Sequence, residues 1–435
     1  MTLRSSQGSV PEAARITRSA PVSASPGLTL TGLKNIGNTC YTRPPAQSCS
    51  KSPERRGLVN LGNTCYMNAV LQALFHSSPL QRAVLRSRPG PHRPLLAALQ
   101  HVFAYLALSE RPVVRPEAFA RAAQPPWFVQ GRQQDSSELL RFFLDALHEE
   151  ENTVAQDSRP AASHNARADS AAGSARADTA GATCSLVRRL LTCQTEAAYH
   201  CGSCGVISRQ PESVSVFNLP VPEDAADTAR PVSSLLARCL EPEVLIGENQ
   251  YHCDGCGQLT DAVRRLGILV PPRILVLSLS RFGFELTSGR SHKLLAPVRL
   301  EGRLLLPLAE DTTATYCLYA AVVHAGPSLD AGHYYCLARP SDGGAGWWKL
   351  DDDLATRLMD TVPTAAGSEA EGSLPYAGTD PEQALGLDRP SDTAFLLFYR
   401  RCDDQESEQH EETVQLPDSL HEEIALDNRA HRRGR

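Results

Sequence analysis

The chain has 435 residues, of which 42% are hydrophobic and 21% charged, and its mean hydropathy is -0.27. This balance is typical of a globular protein with enough apolar material for a core. No apolar run approaches the roughly 18 residues of a membrane span, and the N-terminus lacks the apolar segment of a secretory signal. The 43 basic and 49 acidic residues give a net charge of -6, which argues against nucleic-acid binding held by charge. We therefore expect neither a membrane nor a nucleic acid as partner.

Four segments have the composition of disordered chain rather than of a packed domain. Residues 1–56 are rich in Ser, Ala and Pro, and residues 151–183 contain 11 alanines and predict a flexible insertion. Residues 361–390 predict a loop insertion, and residues 401–435 predict a disordered tail that is first acidic and then basic. An ordered domain is expected over residues 57–400.

Within that domain, helical patterns come first and strand patterns follow. Apolar residues recur at helical spacing from Met67 to Phe75 and again from Leu139 to Leu147, the second helix beginning at Asp135. Short β-branched or aromatic runs bounded by Gly, Pro and Asp predict five strands. These are Ile274–Leu279, Tyr316–Val323, His333–Ala338, Trp347–Leu350 and Ala394–Tyr399. The order predicts an α+β fold.

Cys65 lies where a loop rich in Gly and Asn turns into the first predicted helix. The unpaired amides and positive dipole end of a helix N-terminus favour a thiolate. Asn60, in the same loop, could face a developing oxyanion. In the alternative interpretation Asn63 and Thr64 are helix caps and Cys65 is a small buried residue.

Two residues distant in sequence offer the partners that a nucleophilic thiol needs. His333 follows a glycine at the start of a predicted strand, and Asp351 ends the next strand. A thiol, an imidazole base and an acid that orients the base form the arrangement of cysteine nucleophiles. Alone, His333 is equally an ordinary core or surface histidine, and Asp351 part of a solvated turn; jointly they favour catalysis.

Two Cys-x-x-Cys-Gly motifs predict a metal site. Cys201 and Cys204 form the first pair, and Cys253 and Cys256 form the second. Four thiolates suit tetrahedral Zn²⁺ and leave no open position, so the site would be structural. The alternative is a set of redox-active or free thiols. With 13 cysteines and no secretory signal, metal or catalytic thiols are favoured over a disulfide framework.

A copy of the nucleophile loop precedes the domain. The segment Gly32–Tyr41 matches Gly57–Tyr66 at eight positions, 25 residues upstream. Pro44 and Pro45 follow Cys40, and prolines in the first turns prevent a buried helix there. We therefore assign Cys65, and not Cys40, as the nucleophile. A partial exon duplication and a gene-model error would each explain the copy.

Several motifs in the same order resemble the ubiquitin-specific proteases, a family of peptidase C19-like deubiquitinases. The resemblance extends from about Gly57 to Tyr399. It rests on these segments: Gly57–Leu74, Gln133–Glu138, Pro272–Phe282, Gly332–Tyr334, Trp348–Asp353 and Phe395–Tyr399. It implies a papain-like hand with a helical thumb, a mixed palm and β fingers that carry the zinc ribbon over residues 193–260.

The resemblance also implies residue roles. Cys65 would be the nucleophile, His333 the general base, Asp351 the orienting acid and Asn60 an oxyanion donor. The reaction would cleave the isopeptide or peptide bond after the C-terminal Gly of ubiquitin on protein conjugates.

The segment around Asp135 would recognise the substrate. Asp135 and Glu138, with Gln134 beside them, would bind the two arginines of the ubiquitin tail as charge-assisted pairs. The local interpretation of Asp135 and Glu138 is a capping box at the helix start, and both roles can coexist.

Two other classes remain open from the sequence. One is a ubiquitin-binding module whose site has decayed; no triad residue is missing, which argues against it. The other is a zinc-ribbon nucleic-acid protein, which the net charge disfavours and which leaves the Cys/His/Asp set unexplained. We expect the protein to reside in the cytoplasm, the nucleus or both.

Overall fold

The computed structural model describes most of the predicted domain and part of the C-terminal segment. The described ranges are 55–129, 131–157, 185–223, 229–285, 289–309, 311–328, 331–339, 346–358, 391–402 and 416–434. The duplicated loop with Cys40 lies outside them, as do residues 158–184 and the insertion predicted at 361–390. No helix within these ranges has both the length and the apolar character needed to cross a membrane.

The N-terminal half is helical, as the apolar spacing predicts. The helices are α1 (Cys65–Phe75), α2 (Ser78–Arg86), α3 (Pro94–Leu108), α4 (Glu117–Ala122), α5 (Ser136–Asp157), α6 (Leu186–Leu190), α7 (Val232–Leu240) and α8 (Asp418–Arg433). A short 3-10 turn covers Gly247–Asn249. Helix α1 is buried along its whole length and packs against α5 and the sheet that follows.

The strands in the described ranges lie mostly after α6 and include the five predicted ones, each shifted by at most a few residues. They are β1 (Gly57–Leu58), β2 (Val113–Val114), β3 (Cys193–Cys201), β4 (Ile207–Val214), β5 (Phe217–Pro220), β6 (Arg230–Pro231), β7 (Glu243–Leu245), β8 (Tyr251–Cys253), β9 (Gln258–Thr260), β10 (Ala262–Val270), β11 (Ile274–Ser280), β12 (Phe282–Glu285), β13 (Arg290–Lys293), β14 (Val298–Arg299), β15 (Arg303–Pro307), β16 (Thr313–Ala325), β17 (His333–Ala338), β18 (Trp348–Asp351), β19 (Leu354–Arg357) and β20 (Asp392–Arg401).

An eight-stranded sheet forms the centre of the domain. Its order is β19-β18-β17-β16-β20-β11-β5, with β15 added to β16, and only β5 pairs in parallel. Strands β11 and β20 are apolar on both faces because both faces are covered. Val276 packs with the helices on one face, whereas Leu277 packs on the other with α7 and β15. The mixed helix-and-sheet architecture matches the predicted papain-like hand.

A separate four-stranded sheet, ordered β4-β3-β10-β7, forms the fingers. Strands β3 and β10 pair antiparallel from Ala262 opposite Cys201 to Val270 opposite Gln194. The finger region therefore continues ten residues beyond the predicted end at residue 260. The hairpin β8–β9 lies beside it and carries the second cysteine pair.

The predicted insertion at residue 151 begins too early, because α5 continues to Asp157. The acidic run near its end is bonded to other helices. Glu150 accepts hydrogen bonds from the backbone N–H groups of Leu95 and Leu96 at the start of α3, at 2.7 and 3.0 Å. A carboxylate at a helix N-terminus is favourable, so acidic residues that predict a helix end instead connect α5 to α3.

The prediction of a disordered tail over residues 401–435 is wrong for α8. This helix packs against α3, and Arg111 makes a bidentate pair with Asp427 at 2.7 and 2.8 Å. Asn428 accepts from the backbone N–H of Glu110 at 2.7 Å, and Ile424 is buried. Charge composition alone predicts solvation, but the charged groups of Glu423, Asp427 and Arg432 have partners on α3 or just after it.

One cysteine pair also departs from the expectation of free or metal-binding thiols. Cys317 in β16 and Cys402 after β20 form a disulfide. The other cysteines in the described ranges are free thiols.

Candidate active site

Cys65 is the first residue of α1, at the end of a loop that Asn60 organises. Asn60 Oδ1 accepts hydrogen bonds from the backbone N–H groups of Gly62 and Thr64, both at 3.0 Å. Gly62 and Asn63 have φ values of 105° and 57°, conformations that glycine and asparagine tolerate best. The loop therefore turns sharply into the helix and places the buried Cys65 at its N-terminus.

The predicted caps do not cap the helix. Thr64 occupies the N-cap position but makes no side-chain capping bond, and its Oγ1 accepts from the backbone N–H of Leu61 at 2.8 Å. Asn63 Nδ2 donates to the carbonyl of Gly131 at 2.6 Å. The positive end of α1 is thus left to act on the Cys65 thiol rather than on a capping oxygen.

His333 and Asp351 meet as predicted. His333 Nε2 lies 2.5 Å from Asp351 Oδ1, and both side chains are largely buried. Burial opposes the charge on Asp351, but the hydrogen bond and charge of His333, and Lys349 at 3.2 Å, together lower the pKa of its carboxyl. With Nε2 engaged by the carboxylate, Nδ1 is the ring nitrogen that can act as a base.

The thiol and the imidazole belong to elements in direct contact. Helix α1, which Cys65 begins, packs on β17, which His333 begins. The next residue, Tyr334, has its pKa raised well above the usual range by burial and then by the nearby Asp135 carboxylate and Cys65 thiol. The fold thus brings three predicted site segments to one place.

A turn after β18 connects the acid to the nucleophile loop. Asp352 Oδ2 accepts from Asn60 Nδ2 and Oδ1 accepts from Asn68 Nδ2, both at 2.8 Å. The Asp352 carbonyl also accepts from the backbone N–H of Leu58 at 2.7 Å. Gly57 approaches this turn so closely that a Cβ would lie 2.4 Å from the Asp353 backbone. Only glycine fits there.

The acidic helix start has one predicted contact and one unexpected contact. Asp135 Oδ1 accepts from the backbone N–H of Glu138 at 2.7 Å, which is the predicted cap. Glu138 does not complete a capping box, since its Oε1 accepts from Trp127 Nε1 at 2.6 Å. Gln134 Nε2 donates to the carbonyl of Val129 at 3.1 Å. Asp135 Oδ2 is buried with no hydrogen-bond partner among the described residues, and burial raises the pKa of this carboxyl.

The four cysteines of the two motifs form a compact cluster at the fingers. All four sulfurs lie within 4.8 Å of one another. Cys201 Sγ lies 3.8 Å from Cys256 Sγ, and Cys204 Sγ lies 3.7 Å from Cys253 Sγ. Four sulfurs at this spacing could hold a metal ion. The cluster is separate from the Cys65 site.

A thiol at the start of a helix, packed on the strand of an imidazole that a carboxylate holds, has the components of a thiol hydrolase site. The profile of the family described as ubiquitin carboxyl-terminal hydrolase matches residues 56–399. This chain belongs to that family.

Relatives within the family are distant, and the first of them are longer than this chain. It is 25% identical over 547 residues to human ubiquitin carboxyl-terminal hydrolase 35, covering 90% of this chain and 50% of the relative. It is 26% identical to a Danio rerio ubiquitin carboxyl-terminal hydrolase 48, covering 92% and 34%. It is 25% identical to a Caenorhabditis elegans ubiquitin carboxyl-terminal hydrolase 46, covering 86% and 89%. The chain thus spans half or less of the length of the first two relatives.

Sequence reasoning missed the residues that hold these groups in place. Asp352 stood in a run of three acids with no sign of which one faced Asn60. Asn68 sits one helical turn after Cys65 and would have signalled a polar partner in an otherwise apolar stripe. Lys293 and His324 are buried polar residues within strands, which local sequence pattern does not distinguish from surface positions.

Proposed function

We propose that this chain is a cysteine-type deubiquitinase that cleaves the bond after the C-terminal Gly of ubiquitin. The observation that carries the proposal is the 2.5 Å contact between His333 and Asp351 at the strand that packs on the helix of Cys65. Family membership supplies the substrate class. The named relatives are ubiquitin carboxyl-terminal hydrolases.

In the proposed reaction, His333 Nδ1 takes the proton of the Cys65 thiol. The thiolate attacks the carbonyl carbon of the ubiquitin Gly, and the tetrahedral oxyanion forms near the uncapped amides of α1 and the loop of Asn60. Since Asn60 Nδ2 gives one hydrogen to Asp352, its second N–H remains to donate to the oxyanion. The imidazolium then protonates the leaving amine, and water hydrolyses the thioester through the same base.

Asp135 and Glu138 would recognise the tail. The buried and unpartnered Oδ2 of Asp135 supports this, because an arginine guanidinium would supply the missing donor and compensate the charge. Glu138 lies one turn along, with its exposed side chain bonded to Trp127. Gln134 precedes Asp135 and is bonded to the Val129 carbonyl, and it would add a polar side chain to the same tail-binding surface. Capping and binding therefore coexist at Asp135.

The cysteine cluster would hold a structural Zn²⁺. A tetrahedral ion with Zn–S bonds of about 2.3 Å requires sulfurs about 3.8 Å apart. The sulfur–sulfur distances between the motifs are 3.8 Å for Cys201–Cys256 and 3.7 Å for Cys204–Cys253, which fits this requirement. With four thiolates the ion has no site for water, so its contribution is to hold the finger strands in place. The free thiols of Cys65 and of the cluster fit the reducing cytoplasm or nucleus, where we place the activity, although the Cys317–Cys402 disulfide is uncommon there.

The decisive experiment is to treat the protein with a ubiquitin whose C-terminus carries an electrophile and to map the modified residue. The proposal expects one adduct, on Cys65, and hydrolysis of a ubiquitin-linked amide by the untreated protein. A decayed binding module would bind ubiquitin without forming an adduct or turning over the amide, and this outcome would overturn the proposal.

A further inference from the structure

Lys293 is a buried cation at the end of β13, beside the turn that follows β16. Its side chain is only 6% exposed. Its Nζ lies 3.1, 2.7 and 2.9 Å from the backbone oxygens of His324, Gly326 and Ser391. These acceptors belong to the end of β16, the turn after it and the residue before β20. One ammonium group therefore connects β13 with the end of β16 and with the start of β20.

Lys293 also orients an imidazole. Its Nζ lies 2.9 Å from Nδ1 of His324, which is 1% exposed. When the Lys293 ammonium donates to Nδ1, the proton of the neutral His324 ring lies on Nε2. The ring centroid lies 4.6 Å from that of Tyr334 and 5.4 Å from that of Phe395.

The opposite edge of the His324 ring presses on the backbone that leads into His333. A Cβ on Gly332 would lie 2.4 Å from His324 Nε2, so the ring and the glycine backbone are in contact. Across the β16–β17 hairpin, His324 is paired with Tyr334 and His333 with Ala325, so His324 and His333 lie at neighbouring register positions. Movement of the His324 ring would thus shift the peptide that places His333.

Burial and the neighbouring charges keep the His324 ring neutral near neutral pH. Burial, then Lys293 and His333, lower the pKa of His324 to about 3. Burial, then Arg281, lower the pKa of Lys293 to about 8, while Asp392 raises it. His324 is therefore neutral, and it adds no positive charge beside the catalytic imidazole.

We propose that Lys293 and His324 form a positioning pair that fixes the Gly332–His333 peptide and thereby the placement of the His333 imidazole against Cys65. The inference rests on the proposed function, since it assigns a role within the same reaction. Neither residue contacts substrate; both act through His333. Lys293 holds the ends of β16 and β20 and the His324 ring in place, and the His324 ring packs against Gly332.

A second buried cation supplies a matched comparison. Arg281 is 2% exposed, and its guanidinium donates to the carbonyls of Ala394, Leu294 and Ala296 at 2.8 to 3.0 Å. It holds backbone carbonyls in the same way, but none of them belongs to the turn before His333. Loss of Arg281 should therefore cost stability but change the chemistry of Cys65 less than loss of Lys293 does.

The test uses Lys293→Met, which keeps the length of the side chain but removes its donors, with Arg281→Met as the control. The measured quantities are kcat on a ubiquitin-linked fluorogenic amide, the rate of Cys65 alkylation by iodoacetamide against pH, and the melting temperature. Ubiquitin affinity is measured with each change added to Cys65→Ala. Lys293→Met is expected to lower kcat by about tenfold to a hundredfold, because small misplacements of catalytic groups have effects of this size. It should move the alkylation profile to higher pH and leave ubiquitin affinity unchanged.

His324→Asn keeps the inference testable if Lys293→Met does not fold. The asparagine Nδ2 or Oδ1 can occupy the place of Nδ1 beside Lys293 but leaves no ring against Gly332, so the same fall in kcat and the same profile shift are expected. The inference is overturned if both variants retain the wild-type kcat and alkylation profile. It is equally overturned if Arg281→Met, with a similar fall in melting temperature, loses as much kcat and shifts the alkylation profile as far as these variants do. If wild-type protein fails to process ubiquitin, the proposed function fails, whereas the alkylation profiles still decide the role of Lys293.

Discussion

Asn60 and Asp352 are 292 positions apart in the chain, yet Asn60 Nδ2 lies 2.8 Å from Asp352 Oδ2. This bond connects the loop that precedes Cys65 with the turn that follows Asp351. Burial raises the pKa of Asp352, while hydrogen bonds from Asn68 and Asn60 work in the opposite direction. The acid beside the orienting acid thus fixes the nucleophile loop, and the site is one connected unit.

Asp352→Asn tests this connection. An amide at residue 352 would place an NH2 group against one of two amide donors, and a hydrogen bond to a charged group contributes about 1.5–3 kcal/mol. If this hydrogen bond stabilises the transition state, its loss should lower kcat on a ubiquitin-linked amide by about tenfold to a hundredfold. The exposed neighbour provides the control, since Asp353→Asn should leave kcat near the wild-type value. Equal effects of the two changes would mean that the Asn60–Asp352 bond has no special role.

Cys65→Ala should abolish hydrolysis of ubiquitin esters and amides, whereas Cys40→Ala should not. The reason is that Cys65 begins a buried helix, while Pro44 and Pro45 prevent such a helix after Cys40. Turnover of a fluorogenic ubiquitin substrate measures both. Activity that survives Cys65→Ala would remove Cys65 from the mechanism.

Elemental analysis of freshly purified protein should find one Zn²⁺ per chain. Cys201→Ser or Cys253→Ser should lower both the zinc content and the free energy of unfolding, since binding of structural zinc contributes about 10–16 kcal/mol in small domains. Cys239→Ser is the matched control, because that thiol lies outside the cluster and its Sγ contacts the carbonyl of Asn218. Reduced protein without zinc would show that the cluster holds free thiols.

Glu138→Gln should separate tail recognition from chemistry. The glutamine keeps an Oε1 acceptor for Trp127 and loses only the charge. Turnover of ubiquitin substrates should fall by about tenfold or more, because loss of one partner of a partly desolvated charge pair costs about 2 kcal/mol, the low end of the range for buried pairs. Alkylation of Cys65 by iodoacetamide should not change. Glu149→Gln, an exposed position on the same helix, controls for the loss of charge.

Salt provides an independent check on the same pair. Raising the ionic strength should reduce the difference in ubiquitin turnover between wild type and Glu138→Gln, since salt screens a partly exposed charge pair. A parallel loss in turnover and alkylation would show that Glu138 serves the fold or the thiolate instead.

The stability of the protein should depend on pH through Asp351. Its pKa in the folded state lies below the ordinary value of 3.8 because of His333 and Lys349, despite burial. A depressed carboxyl pKa stabilises the fold above the unfolded-state pKa, and this stabilisation is lost as pH falls through the folded-state pKa. Asp351→Asn should therefore lose less unfolding free energy than wild type between pH 6 and about pH 3. Urea titrations at the two pH values measure the difference, and identical losses would contradict it.

Local pattern was sufficient for the elements and for the chemically distinctive residues. The apolar spacing after Cys65 predicted α1, because burial of a helix face imposes that period. Short β-branched or aromatic runs bounded by turn residues predicted five strands of the central sheet. The two Cys-x-x-Cys-Gly motifs predicted a four-sulfur cluster, since the ligand spacing is itself local. Residue types at sharp turns marked Cys65 and His333.

The tail and α5 show where local pattern fails. A run of acids predicts solvated chain, yet Glu150 bonds the start of α3 and Asp427 pairs with Arg111. These partners lie far away in the sequence, so local composition cannot predict the contacts. The same holds for Glu138, whose side chain was predicted to cap the helix but instead accepts a hydrogen bond from Trp127.

The sequence by itself determined which residues could perform the chemistry: a thiol at a helix start, an imidazole after glycine, and a carboxylate at a strand end. Only the tertiary structure decided how they are held. Asp352 rather than Asp353 faces Asn60, and Lys293 meets His324 behind the site. These contacts join segments separated by tens to hundreds of residues. Their energy depends on distances and burial that no local periodicity encodes, because packing, and not propensity, brings those segments together.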